Sequence, residues 1–240
     1  MTKTITIGIT ATESRFQNYL DWILDEDAAI DLITLSYETQ NTDDVKRCQG
    51  ILLSGGVDIT PAFYNSQRTR YPNMPKEWNK ERDIFEMKIL QLAIENRLPI
   101  LAICRGLQLL NTYLGGSLVP DLEEAGKQDH KRKEDKDGLH TITIAENSLL
   151  FSISGRLSGE VNSAHHQAID LISDSLVVNA VSTDDGVIEG VEWKDPYNKS
   201  PLLGVQWHPE RMDDKKTNPL SENILAWFLS EANKSLYENF

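Results

Sequence analysis

The chain has 240 residues, 40% of them hydrophobic, and a net charge of −13 from 37 acidic against 24 basic side chains. That length and apolar content suffice to bury one substantial core, so a single domain over residues 1–240 is expected, while the dispersed acidity disfavours nucleic acid or an anionic membrane as partner. Two cysteines exclude a disulfide framework and a cysteine-built zinc site, and with no signal-like N-terminus and no apolar run near the ~20 residues that span a bilayer, a cytoplasmic protein is expected.

In chain order, residues 5–9 form a short β-branched run, followed by a helix-like stretch over 15–29. Residues 30–35 and 50–54 are again short and apolar, and the latter runs directly into Gly55-Gly56. Helical spacing of Ile84, Met87, Leu90, Ala93 and Ile94 predicts a helix over 78–96. After Pro99 comes another apolar strand, 100–103, and then a helix through Leu107, Leu110, Asn111 and Leu114 to the stop at Gly115-Gly116. Continuous apolar strands separated by helices predict an α/β fold, with a parallel sheet covered on both faces. Residues 123–138 are charged and read as an exposed loop. Strand-like runs at 141–144, 176–178, 187–192 and 202–207 predict added antiparallel β-structure, and a helix over 221–232 closes the chain.

Three segments carry chemistry. Cys104 stands between strand 100–103 and the following helix, flanked at two residues' distance by Ala102 and Gly106, the small residues that a strained strand-to-helix turn requires. A sulfur at a helix N-terminus meets free N–H groups and the positive end of the helix dipole, both of which favour the thiolate. Cys48 has no such turn and is assigned no role. Near the C-terminus, Gln206-Trp207-His208-Pro209-Glu210 ends a strand. Residues two apart in an extended segment point to the same side, so His208 and Glu210 are expected to face the same way, as a base and the carboxylate that orients it. Gly55-Gly56 ends a third strand. The N–H groups of Gly56 and Arg105 are the expected donors to an oxyanion.

Together, residues 51–59 (ILLSGGVDI), 103–108 (ICRGLQ) and 206–210 (QWHPE) resemble the class I glutamine amidotransferase-like superfamily, and within it the γ-glutamyl-γ-aminobutyrate hydrolase group of the C26 peptidases. Further group-like segments are Arg82-Asp83-Ile84-Phe85-Glu86, residues 161–167 and residues 185–189. The resemblance implies a flavodoxin-like three-layer sandwich, with a mostly parallel central sheet and added antiparallel strands. It implies Cys104 as nucleophile, His208 as base, Glu210 as orienter, and Gly56 and Arg105 as oxyanion donors. It further implies substrate contacts from Gln108 and from His165-His166-Gln167, with no metal or organic cofactor. The activity implied is hydrolysis of a γ-glutamyl amide through a thioester by a free-standing enzyme, with a homodimer left open. The alternatives are a glutaminase subunit that feeds ammonia to a separate synthase and a silent binding protein on the same scaffold. Pro120 stands where the group commonly has Gln, which leaves the choice of leaving amine open.

Overall fold

The apolar runs pair side by side into one sheet. A computed structural model describes residues 4–25, 29–64, 70–134 and 136–238. The early strands are β1 (Thr6–Thr10), β2 (Asp31–Leu35), β3 (Gly50–Leu53) and β4 (Ile100–Ile103). After them come β5 (Leu118–Val119), β6 (Gly138–Ile144), β7 (Ser158–Ser163), β8 (Ala168–Ile169), β9 (Leu176–Ser182), β10 (Ile188–Trp193) and β11 (Leu202–Val205). The helices are α1 (Phe16–Leu24), α2 (Lys80–Glu95), α3 (Arg105–Tyr113), α4 (Leu149–Ser154) and α5 (Glu222–Glu238). Among the described residues the main sheet has nine strands, in the order β2-β1-β3-β4-β11-β10-β9-β6-β7. The pairs from β2 to β11 are parallel and the remainder antiparallel, while β5 and β8 pair apart.

Alternation along the central strands builds three layers, because successive side chains point to opposite faces. Leu52, Leu101, Ile103, Leu203 and Val205 pack with Tyr19, Trp22 and Ile23 of α1 and with Ile224, Leu225 and Phe228 of α5. Ile51, Leu53, Ile100, Ala102 and Leu202 pack on the other face with Phe85, Ile89 and Leu90 of α2 and with Leu107 and Leu110 of α3. Both faces being covered explains why these strands read as continuous apolar runs. Cys48 belongs to the second core, and burial pushes its thiol up to about 12, so it stays protonated near neutral pH. No helix among the described residues is long and apolar enough to cross a membrane.

Several elements differ from the sequence expectation. Helix α1 ends at Leu24, and residues 26–28 of the expected stretch lie outside the described residues. Helix α2 forms where expected, but Ile84 is 52% exposed, while Arg82, Asp83 and Glu86 are buried beside Phe85 and Ile89. Leu90 and Ala93 of the expected stripe are fully buried and Met87 and Ile94 pack against the same core, so only Ile84 departs from it; the charged residues are buried as well because α3 supplies a buried partner, Arg105. The stretch 123–138, of which residue 135 lies outside the described residues, is mostly exposed, but His130 within it is buried. Strand β11 stops at Val205, and Pro209–Arg211 form a 3-10 turn rather than an extended segment.

Candidate active site

Three neighbouring parallel strands, β3, β4 and β11, end at the same edge of the sheet, where open α/β sheets carry their sites. Cys104 follows β4 directly and is held there by its N–H to the carbonyl of Val205 (2.8 Å). Its backbone, φ 53 and ψ −107, lies in a region that L-residues avoid, which is the strain expected of a nucleophile elbow. Gly106 permits the turn, since a Cβ there would come within 2.3 Å of the carbonyl oxygen of Leu53. Arg105 begins α3, so its N–H has no acceptor inside the helix.

His208 and Glu210 meet through Nδ1 and Oε1 at 2.8 Å, both buried. The 3-10 turn, not an extended chain, brings them together, and the backbone N–H of His208 donates to Asn162 Oδ1 (2.9 Å). Burial disfavours the Cys104 thiolate, but the His208 imidazole beside it outweighs burial and holds the thiol below its ordinary range. Burial likewise disfavours the imidazolium, yet Glu210 and the Cys104 sulfur together push His208 up to about 9. Each charge therefore favours the other, the imidazolium of His208 the thiolate and the thiolate the imidazolium. Gln206 donates from Nε2 to the sulfur at 3.4 Å, and its Oε1 accepts from Gln108 Nε2 (3.1 Å).

This coupling fixes a pH dependence. Turnover that needs the ion pair is expected to rise once Cys104 ionises, below the usual thiol value, and to fall as His208 loses its proton near pH 9. Because the folded value of His208 lies above its ordinary 6.5, its contribution to stability is complete below 6.5 and is lost as pH rises through about 9. A pH profile of kcat/KM without an alkaline fall would contradict the pair.

Gly55 lies beside His208 and Cys104, and Gly56 beside Arg82 and Thr12. A Cβ on Gly55 would sit 2.9 Å from His208 Cε1 and 3.7 Å from Cys104 Cβ, so the backbone can approach only because no side chain intervenes. The N–H of Gly55 donates to the buried hydroxyl of Tyr19 (2.9 Å), while its carbonyl accepts from Arg82 Nη2 (2.7 Å). Gly56 has φ +142 and leaves only 2.2 Å between a hypothetical Cβ and Arg82 Nη1, so no other residue fits. Arg82 also pairs with Glu86 (2.7 Å) and Glu13 (2.6 Å), and Arg105 pairs with Glu86 and Asp83. One buried charge network thus ties both expected oxyanion segments to α2.

The expected substrate residues separate into two environments. Gln108 is buried and also donates to the carbonyl of Gln167 (3.1 Å), while Gln167 Nε2 donates to the Tyr71 hydroxyl (3.3 Å) and to the carbonyl of Pro120 (3.0 Å). His166 is the more open ring, with Nε2 3.0 Å from Asp58 Oδ1 and Nδ1 3.5 Å from Asp121 Oδ2. His165 is buried and turned toward Glu189 (3.5 Å). Sequence reasoning missed Tyr19, Asn162 and Gln206 as neighbours of the triad. Gln206 left a signal in standing two residues before His208 in the same strand-end segment, and Asn162 in lying within the group-like segment 161–167.

Residues 8–210 match the family model described as Peptidase C26. Protein NtpR of Enterococcus hirae is 36% identical over 187 residues, covering 75% of this chain and 74% of that protein. A gamma-glutamyl-gamma-aminobutyrate hydrolase of Escherichia coli O157:H7 is 38% identical over 173 residues, covering 68% of this chain and 65% of that protein. A glutamine amidotransferase structure from Thermotoga maritima superposes with a TM-score of 0.64 at 15% identity, covering 99% of this chain and 100% of that one, a likeness of fold.

Proposed function

The chain belongs to the peptidase C26 family of glutamine amidotransferase-like hydrolases, and from that premise we propose that it hydrolyses the γ-glutamyl amide bond of a γ-glutamyl-amine or γ-glutamyl-amino acid through a Cys104 thioester. The observation that carries this reading is the His208–Glu210 contact of 2.8 Å beside a cysteine held at positive φ. In this reaction the Cys104 thiolate attacks the amide carbonyl carbon. The N–H groups of Gly56 and Arg105 receive the developing oxyanion, fixed in advance by the Arg82 and Arg105 ion pairs. The imidazolium of His208 passes its proton to the leaving nitrogen, the C–N bond breaks, and the amine departs. Neutral His208 then takes a proton from water, which attacks the thioester and frees glutamate and the thiolate. Gln108, His166 and Gln167 contact the substrate, and His165 supports that segment from behind. The whole chain, residues 1–240, acts as one cytoplasmic domain without a nucleic-acid or membrane partner.

Free glutamate released from a panel of γ-glutamyl amides, including glutamine and γ-glutamyl-γ-aminobutyrate, tests the substrate class. Preference for γ-glutamyl-amino acids over glutamine supports the free-standing hydrolase. Activity confined to glutamine would replace it by a glutaminase subunit that lacks its synthase, and no release from any member would leave a silent binding protein.

The two partners of the sulfur have unequal roles, and unequal losses are expected. His208→Ala removes the proton carrier and should lower kcat by about 10³–10⁴-fold. Glu210→Gln keeps a hydrogen bond to the ring, so it should cost less and should move the alkaline limb of the pH profile downward, because Glu210 is the largest influence raising His208. Equal losses in the two variants, with an unmoved limb, would contradict this division.

A further inference from the structure

We infer that His130, His140, His165 and Glu189 form a binding site for one divalent transition-metal ion of the zinc type, separate from Cys104. Glu189, on β10, has no exposed surface, and neither of its carboxylate oxygens has a hydrogen-bond partner among the described residues. A bare buried carboxylate is strongly unfavourable, so a positive charge must stand against it. Three ring nitrogens converge on one of its oxygens, Oε1: His140 Nε2 at 3.3 Å, His130 Nδ1 at 3.5 Å and His165 Nε2 at 3.5 Å. Four ligands bound at ~2.1 Å around a tetrahedral ion stand ~3.4 Å from one another, which is the spacing these nitrogens keep from Oε1. The ligand atoms of His130, His140 and Glu189 all lie within 4.8 Å of one another, so the rings need only draw in around the ion.

The protons point the same way. His130 Nε2 lies 3.1 Å from Asp185 Oδ2, and His165 Nδ1 lies 2.9 Å from the carbonyl of Gln167. Each of these acceptors takes an N–H of its ring, so a neutral ring presents a lone pair on the nitrogen that faces Glu189. Such lone pairs repel a carboxylate unless a cation stands between them. Outer hydrogen bonds from ring N–H to a carboxylate or a carbonyl are the ordinary support of metal-bound histidine. Neither ring nitrogen of His140, nor His165 Nε2, has a hydrogen-bond partner among the described residues. The Ser163 hydroxyl, 3.4 Å from His130 Nδ1, donates instead to the carbonyl of His130 at 2.8 Å. Three imidazoles and one carboxylate suit zinc or its first-row neighbours rather than magnesium or calcium. An open cavity lined in part by Asn73 and Lys127 reaches two of the proposed ligands, His130 and His165. Once bound, the ion joins β6 and β10 to the segment that carries His166 and Gln167, and so stiffens the wall of the proposed substrate site.

The test is a Zn²⁺ titration by calorimetry of chelator-treated chain, in the wild type and in Cys104→Ala so that the thiolate cannot take the metal. Co²⁺ serves as an optical probe and Mg²⁺ as the hard-cation comparison. The expected result is one Zn²⁺ per chain in both proteins, visible Co²⁺ bands of tetrahedral intensity, a melting temperature raised by Zn²⁺ and no uptake of Mg²⁺. His140→Ala and Glu189→Gln should abolish uptake, and Asp185→Asn should weaken it by about 10–100-fold. Absence of saturable Zn²⁺ uptake by Cys104→Ala, or equal uptake by a folded Cys104→Ala/His140→Ala double variant, overturns the site and leaves protonated histidines as the counter-charge of Glu189.

Discussion

Cys104→Ala is expected to abolish turnover of every γ-glutamyl substrate while leaving the fold intact. The substitution removes the only atom that can form the thioester, so the residual rate should fall by at least about 10⁴-fold and lie near what oriented water can achieve. Little stability should be lost, because the side chain is small and its backbone hydrogen bond to Val205 remains. Circular dichroism and thermal melting beside the glutamate assay separate the two effects. Retained hydrolysis in a folded Cys104→Ala protein would remove the proposed chemistry altogether.

Glu86→Ala should produce the largest loss of stability. Glu86 is buried between Arg82 and Arg105, whose side chains are 1% and 2% exposed, and it accepts from both. Removing it leaves two buried guanidinium groups short of an acceptor, a change that costs ~3–5 kcal/mol in comparable buried ion pairs. Burial alone would raise the Glu86 carboxyl, but Arg105 and Arg82 prevail and hold it below its ordinary 4.5. Its contribution is therefore complete above pH 4.5 and is lost as pH falls through the lower folded value. Urea unfolding checks the size of the effect, and the difference between wild type and Glu86→Ala should shrink in acid. The same variant should also lower kcat, because Arg82 holds the Gly55 carbonyl and Arg105 carries an expected oxyanion donor. A loss below ~1 kcal/mol with unchanged kcat would show that the network neither supports the fold nor positions the site.

What the sequence could disclose depended on how local the physics is. The strand ending at Ile103, the small residues around Cys104 and the His208–Glu210 spacing are short-range features, and all three correspond to structure. Sequence alone placed His208 and Glu210 on an extended chain, however, because nothing local distinguishes that from the turn begun by Pro209. Strand β7, of sequence SGEVNS, has neither apolar alternation nor β-branched enrichment and was invisible, since it gains its pairing from β6. The burial of Arg82, Asp83 and Glu86 beside the apolar stripe of α2 was not legible for a related reason. The partner Arg105 stands on another helix, and no periodicity reports a salt bridge across 19 or 22 residues. Tyr19 reads as one more apolar position on α1, although its hydroxyl holds Gly55. The histidine cluster was the least legible feature of all. His130, His140, His165 and Glu189 come from separate segments, and His130 lies in a stretch whose composition signals solvent.

The Cys104 thioester is tested most directly by the intact mass of the protein, rapidly quenched during turnover of a γ-glutamyl anilide, followed by peptide mapping. Catalysis through Cys104 predicts a transient increase equal to one glutamyl group, confined to the peptide containing Cys104 and cleaved by hydroxylamine as a thioester would be. Steady release of glutamate with no adduct on Cys104, by a protein whose Cys104→Ala variant remains active, would contradict it.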